Sequence, residues 1–516
     1  MRQSRVFIIF AVCLAAWCRA SAGAITTSGG TNATVRPISL QESIQLALQQ
    51  NLGLKIERLT PQMANFDLSG SYSYYDPVFT VRGEQSFNSS PGGFNPSLSI
   101  PTPPNDTWTE HFSAGLVGKT PTGMEYNLGS DLTRTSGTFP GGTNAGGGFN
   151  IIDRGFQYRP NVGINVTQPL LRDFWTDTPR TAIKVNKKLV KIAEYGFEFQ
   201  VMTVVNSVQQ AYFDLIFAQE NVKVQEKALE LAQRLLDENK KRVEIGTIAP
   251  LDERQSQSQR ATALADLIAA QNTQAAAANV LKNLLTDKYT EWHGVRLEPT
   301  EKLIALPETF SLSESWNRAL KLRPDYNQLK EELERQNLIL KFDYNQLFPS
   351  LDLIGSYGRN GLSDTLGGSA EQVRDGDFPR WSGGAILTVP LSRTRERYIY
   401  KRDKAAQQQA LLRLKKLEQD IIVQVDDTAA RAQSDYQRIQ ATREARQFAE
   451  AALQAEQTKL ENGKSTSFVV LQLQSNLTRA RGAEIQALAD YQKSLADFYF
   501  REGTTLERNK VIISDK

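Results

Sequence analysis

The sequence predicts a mainly α-helical fold with membrane β-strands, in which duplicated long helical hairpins form an α-barrel tunnel and the strands contribute to a shared transmembrane β-barrel. Three observations predict it: an internal repeat, two helix-forming runs far longer than a globular domain uses, and intervening segments whose side chains alternate apolar and polar.

The repeat comes first. Ser39, Leu40, Glu42, Ser43, Ala47 and Leu48 recur as Ser311, Leu312, Glu314, Ser315, Ala319 and Leu320, a displacement of 272 positions. The same displacement takes Asn65 to Asn337, Tyr72 to Tyr344, Pro77 to Pro349 and Gly83 to Gly355 without a gap. Further on, Thr167 and Pro169 match Thr388 and Pro390, and Gly246, Gln255, Gln257, Ser258, Ala263 and Ile268 match Gly463, Gln472, Gln474, Ser475, Ala480 and Ile485. Each half therefore reads short helix, helix, strands, long helix, turn, long helix. The first repeat spans 38–302, with short helices over 39–75, strands over 77–168 and a long hairpin over 179–293. The second spans 303–503, with the same elements over 311–347, 350–390 and 392–502, and a tail follows over 504–516.

From Ser392 to Asn462 there is neither Pro nor Gly, and Ala, Gln, Glu, Lys, Arg and Leu dominate, which predicts one unbroken helix. At 1.5 Å per residue such a rod is on the order of 100 Å long. Leu414, Leu417, Ile421, Val425, Ala429, Ala432, Tyr436 and Ile439 step along it by three and four, a narrow stripe suited to coiled-coil packing. Arg180 to Ile245 repeats the pattern with Gly196 as the single interruption, and return helices are expected from Leu251 to Trp292 and from Ser467 to Glu502.

After Pro77, Phe79, Val81 and Phe87 alternate with Thr80, Arg82, Glu84 and Ser86. Tyr126, Leu128 and Leu132 likewise oppose Glu125, Asn127, Asp131 and Thr133, and Val162, Ile164 and Val166 oppose Arg159, Asn161, Asn165 and Thr167. Lengths of roughly nine to eleven residues suit tilted strands crossing a bilayer. Long loops are expected over 88–107 and 136–153, and a tight turn at Thr120-Pro121-Thr122-Gly123. The second half offers two strands, Leu351–Tyr357 and Trp381–Val389, joined by a polar Gly-rich loop, so the chain holds six. A sheet this small cannot close alone, and unpaired strand edges cannot face lipid, so the chain must associate with copies of itself.

The ends and the composition narrow the class. Arg2 and Arg5, the apolar run Val6–Trp17 and the small residues Ala20-Ser21-Ala22 make residues 1–22 a secretory signal, with a linker over 23–37. Both cysteines, Cys13 and Cys18, fall inside it, so thiol chemistry and disulfides are excluded from the mature chain. Loss of Arg2, Arg5 and Arg19 turns 60 basic against 57 acidic residues into 57 against 57, which gives no ground for a nucleic-acid surface. His111 and His293 stand in no ligand-spaced cluster, and Gly146-Gly147-Gly148 lacks the Lys of a phosphate loop. No cofactor and no enzymatic activity are expected.

Taken in order, these elements resemble the outer-membrane efflux (TolC-like) family. The residues that convey the likeness are Ser39-Leu40 with Glu42 and Ala47-Leu48 opening each half, Thr167-Gln168-Pro169-Leu170-Leu171 at the strand-to-helix turn, and the helix-tip glycines Gly246 and Gly463. The resemblance implies a homotrimer in outer-membrane lipid whose barrel continues as a periplasmic tunnel. Such a trimer would be an exit duct for efflux or type I-like secretion, working passively with a periplasmic adaptor and an inner-membrane pump of RND or ABC type. The family pattern has two strands per half, whereas the first half here holds four, so the extra hairpin over 109–135 either widens the barrel or lies outside it.

The candidate sites each have a plainer structural reading. Asp252 and Glu253, just past the first tip, would form a cation-favouring ring as a periplasmic gate, or simply charge a helix start. Gly246 and Gly463 end helices and mark tips where an adaptor could dock. Pro169 and Pro390 redirect strand into helix. Arg82, Glu84 and Arg159 face a lumen, tuning solutes or only solvating it. The competing class is a periplasmic coiled-coil adaptor or scaffold without a membrane span.

Overall fold

The structure is a computed structural model that describes residues 35–97, 100–143, 149–246 and 248–511. The signal segment lies outside these residues, as does most of the expected linker.

The first repeat opens with β1 (Val35–Ile38) and helices α1 (Leu40–Gln50), α2 (Leu52–Glu57) and α3 (Leu59–Ser71). Ser39 caps α1 by accepting from the Glu42 amide, 3.1 Å. Strand β2 (Val78–Ser90) follows, then a two-residue pairing of β3 (Phe94–Asn95) with β4 (Ile100–Pro101). Next come the long strands β5 (Asn105–Lys119), β6 (Glu125–Thr143) and β7 (Phe149–Pro169), the rod α4 (Thr178–Glu244), its return helix α5 (Pro250–Leu285) and the short α6 (Tyr289–Trp292). The second repeat runs β8 (Arg296–Pro299), α7 (Leu312–Leu322), α8 (Pro324–Gln346), β9 (Ser350–Asn360), α9 (Leu366–Asp375), β10 (Phe378–Thr388), α10 (Thr394–Glu461) and α11 (Ser467–Glu502), and ends in α12 (Thr505–Arg508).

The duplication holds in the helices almost residue for residue. α1 and α7 have 11 residues each, α4 and α10 have 67 and 68, and α5 and α11 have 36 each. α11 packs along α4, which sets the two hairpins side by side, and α8 lies in the groove between α4 and α10. The main core is where α1, β1 and β8 brace the first hairpin: Ile38, Ile44, Ala47 and Leu54 bury against Val201, Val205, Val208, Leu215, Leu281 and Leu285. Each fully buried Val, Leu or Ile side chain here is worth about 1.5–3 kcal/mol of transfer free energy. Tyr212 seals this core and donates to the Ile38 carbonyl, 3.1 Å.

Five expectations need correction. The strands of the first half are 13, 15, 19 and 21 residues long rather than nine to eleven, because β6 and β7 run on as a hairpin through most of the stretch expected as a loop over 136–153. The expected loop over 88–107 holds the β3–β4 pairing, and the loop of the second half contains α9, whose start is capped by Thr365 and whose end turns at Gly376. The first return helix stops at Leu285 rather than Trp292. There Thr286 adopts extended backbone, and α6 is a separate turn. The linker over 23–37 ends in β1, which pairs in parallel with β8. A four-residue strand is too short to show alternation, and its partner is the other end of the repeat.

Asp343 on α8 and Asp403 on α10 are both buried and face each other. Arg402 pairs with Asp403 at 2.7 Å and keeps it ionised, while burial and that neighbouring carboxylate push Asp343 up to about 7. A raised folded-state value stabilises the fold fully below the unfolded value, near 4, and that stabilisation is lost as pH rises through 7. Thermal unfolding followed from pH 5 to pH 8.5 is therefore expected to show a falling Tm in the parent and a flatter profile in Asp343→Asn; equal slopes would refute the assignment.

Candidate functional site

Six strands form one antiparallel sheet in the order β10-β9-β7-β6-β5-β2, so the extra hairpin sits inside the sheet, between β2 and β7. Its register gives the sheet two chemically opposite faces. On one, a single row crosses every strand as Phe79, Leu116, Leu128, Ile164, Tyr357 and Trp381. Most of this row is exposed, with Phe79 at 67% and Trp381 at 77%. Other rows of the same face add Val81, Ala114, Val162, Leu353 and Ala385. Aromatic side chains cluster toward the rims: Phe87 stacks on Trp108 at 4.5 Å, and Trp175 lies exposed below the sheet. Exposed apolar surface with aromatic rims is the chemistry a bilayer requires. Polar side chains also stand on this face: Gln85, Ser130 and Arg359 by register, and Glu110, which is paired across the strands with Arg134, whose guanidinium stacks on Phe156.

The opposite face is polar. Arg82, Ser113, Asp131, Asn161 and Asn360 form one row, which ends on Phe378 at the β10 edge, and the next is Thr80, Gly115, Gly129, Gly163, Gly358 and Arg380. Within that second row Gly163 and Gly358 lie so close that a Cβ on either would meet the opposing strand's carbonyl at about 3 Å. Arg82 and Glu84 both project from this face and pair with each other at 2.5 Å, and Arg159 donates to Gln157 at 3.4 Å. Pro169 ends β7, where Leu170 donates to the Leu351 carbonyl at 2.7 Å, and Asp177 then caps α4. Pro390 follows β10, beside the wholly exposed Leu391. Both prolines thus stand at the bend from sheet to rod.

At the far ends of the rods, Gly246 and Gly463 have φ +75° and +71°, the left-handed backbone that ends a helix and that a side chain disfavours. Asp252 and Glu253 lie in the first turn of α5, with Glu253 accepting from Gln257 at 2.8 Å. The matching turn of α11 has no acid. Its Val470 and Leu471 are buried against Leu235, Leu453 and Leu460, so each chain brings one acidic pair to its tips, not two.

A buried polar clasp joins the hairpins just behind these turns. Asn239 on α4 donates to the Ser256 hydroxyl on α5 at 2.8 Å and accepts from the Ser467 hydroxyl on α11 at 3.0 Å, with Asn239 and Ser256 fully buried. Ser256 in turn donates to the Asp252 carbonyl, 2.9 Å, which links the clasp to the acidic turn. Sequence analysis did not single it out, yet the signal was present: Asn239 continues the buried stripe of Ala232, Leu235 and Leu236, and a polar residue in such a seam fixes register.

A family model for outer membrane efflux proteins matches residues 152–286 and 316–502, more than half of the chain. Outer membrane protein TolC of Escherichia coli strain K12 is 22% identical over 345 residues, which covers 65% of this chain and 64% of that relative, a little under two thirds of its length. Among solved structures, the Campylobacter jejuni CmeC outer membrane channel superposes with a TM-score of 0.64 at 18% identity, covering 90% of this chain and 86% of that one. CusC, whose structures concern transmembrane channel formation, gives 0.65 at 17% identity, covering 93% and 95%.

Removing one partner of a buried hydrogen bond costs about 1–3 kcal/mol. Asn239→Ala is therefore expected to speed amide exchange at the tips, over 232–260 and 465–477, by roughly tenfold to a hundredfold, with the sheet unchanged. Exchange at the parent rate would mean that the clasp does not hold the hairpins together.

Proposed function

The chain belongs to the outer membrane efflux protein family, and from that membership we propose that it is the protomer of a trimeric exit duct that spans the outer membrane and reaches into the periplasm. The observation that supports this most directly is the two-faced sheet, apolar and exposed on one side and polar on the other, joined at Pro169 and Pro390 to two rods each about 100 Å long. The apolar face meets lipid, and the polar face, with Arg82, Glu84 and Arg159, lines water. Among the described residues no helix is long and apolar enough to cross a membrane. A wholly periplasmic scaffold would leave the Phe79-to-Trp381 row in water, at the cost of a large exposed apolar patch.

The duct takes solute from an inner-membrane pump of RND or ABC type through a periplasmic adaptor that docks at the tips around Gly246 and Gly463. Transport through it is passive, and the energy comes from the pump. Asp252 and Glu253 from three copies ring the periplasmic entrance and favour cations.

Purified protein is expected to run as trimers in mild detergent and to give discrete conductance steps in planar bilayers; a non-conducting soluble monomer would sink the reading. Within conducting trimers, the double variant Asp252→Asn, Glu253→Gln should lower the cation-over-anion permeability ratio roughly severalfold, read from reversal potentials in asymmetric salt. An unchanged ratio would leave these two acids as helix-start charges only.

A further inference from the structure

We infer that each copy is flanked by a second copy of this chain at two levels at once: the neighbour's α10 fills an open coiled-coil seam on α2 and α3, and the neighbour's β10 pairs with β2. All six strands of every copy then enter one barrel, 18 strands in the trimer on which this inference rests.

The seam is Leu52, Ile56, Leu59, Met63 and Phe66, spaced by four and three, the repeat of a coiled-coil stripe. All five are exposed, Ile56 at 65% and Phe66 at 73%, while the other flank of α3 packs on α4. The duplication says what belongs there. The displacement of 272 carries Ile56, Leu59, Met63 and Phe66 onto Gln328, Glu331, Arg335 and Leu338 of α8. That is the flank α8 turns to the long helix of the preceding repeat: Gln328 reaches Gly196 of α4, and Glu331 and Glu334 hold Lys188. Another flank of α8, through Asn337 and Asp343, meets α10 of its own repeat, as α3 meets its own α4. The seam therefore awaits the long helix of a preceding repeat, and for the first repeat of a chain that helix can only be α10 of another copy. The displacements of 217 and 221 that relate the hairpins place the counterparts of Lys188 and Gly196 between residues 405 and 417. There Leu411 and Leu412 lie exposed on α10, Leu412 at 65%.

The sheet gives the same answer independently. Among the described residues β2 and β10 have no strand on their outer sides, and every neighbouring pair between them is antiparallel. With six strands, β2 and β10 run in opposite directions, so β10 of one copy beside β2 of the next continues the antiparallel ladder; an odd number would break it. The two levels also agree in side. α3 leads directly into β2, and β10 leads directly into α10, so each copy presents one flank made of α3 and β2 and another made of β10 and α10. Head-to-tail repetition of such a contact closes a ring when the rotation between copies is a third of a turn, as in the proposed trimer. A barrel of 18 strands encloses a wide aqueous channel, in the class of the large porins.

The test uses the full-length protein, whose native cysteines, Cys13 and Cys18, lie in the signal segment. Chains carrying Leu59→Cys are co-expressed with chains carrying Leu411→Cys or Leu412→Cys, and chains with Ser382→Cys with chains carrying Thr80→Cys, Arg82→Cys or Glu84→Cys. Oxidation is expected to give covalent dimers for at least one register at each level, and double-cysteine chains should give covalent trimers. Met63→Asp should lower the trimer fraction at least about tenfold without loss of helical circular dichroism, since it buries a charge in the seam. Electron cryo-microscopy of the trimer in nanodiscs should count 18 strands. A conducting trimer with 12 strands, no inter-chain cross-link at either level, or a trimer indifferent to Met63→Asp would overturn this inference and leave the duct reading intact. Absence of any trimer would overturn both.

Discussion

A strand edge in hydrocarbon must find a partner for its amides and carbonyls, and nearly everything in this molecule follows from that. Each unmet group costs several kcal/mol in lipid, so a sheet whose one face is built for a bilayer cannot end in open edges there. Among the described residues the sheet is nonetheless left open in one chain, at β2 and β10. The fold is therefore a fraction of a structure, and its remaining features read as provisions for completing it: an even number of strands, rods with narrow apolar stripes, and a repeat that puts the same packing problem at both flanks.

The rods obey a different rule from the sheet. An α-helix meets its backbone needs internally, so it can stand alone in water for about 100 Å, and what it needs from neighbours is only a stripe of contacts. The stripes here are sparse, and polar residues interrupt them at defined places. Asn239 fixes the register of three helices near the tips, and Asp343 with Asp403 does the same near the sheet. Both sites lie in seams where an apolar residue would pack as well, and both trade packing for register. The tips are thus held by a few hydrogen bonds and one small apolar cluster around Leu235 and Val470, which open more easily than a wide apolar core could.

Much of this architecture was legible in the residues because long periodic signals survive without context. The rods were readable to within a few residues at each end, since a run from Ser392 to Asn462 without Pro or Gly leaves little choice. The alternation at Phe79, Val81 and Arg82 gave the faces of the sheet correctly. Strand ends were not legible. β6 and β7 continue past the span a bilayer needs through glycine-rich sequence, and glycine hides alternation because it belongs to neither face. β1 was missed because its partner, β8, is distant in sequence and each has four residues. At the tips the glycines stood out by position in the repeat and Asp252 and Glu253 by likeness to the family, whereas the clasp did not, because Asn239 has no counterpart: its equivalent in the second repeat is Glu456. The repeat shows what the halves share and is blind to what one half does alone.

That blindness bears on the most unusual feature, four strands in one half against two in the other. If the barrel and the tunnel are to meet without a step, their perimeters must be similar. In the proposed trimer the helices that reach the sheet are α3, α4, α8 and α10 of each copy, twelve in all, and set side by side at about 10 Å they give a tunnel roughly 120 Å around. Eighteen strands at about 4.8 Å, tilted by about 40°, give roughly 110 Å, whereas twelve strands at the same tilt give roughly 75 Å. Six strands per copy therefore let the sheet leave the rods without tapering, and each rod can stand under its own part of the barrel wall. Four strands would need a steeper tilt or a narrowing at the junction, where Pro169 and Pro390 already turn the chain. On this account the extra hairpin is what matches a membrane pore to the width of the helical tunnel beneath it.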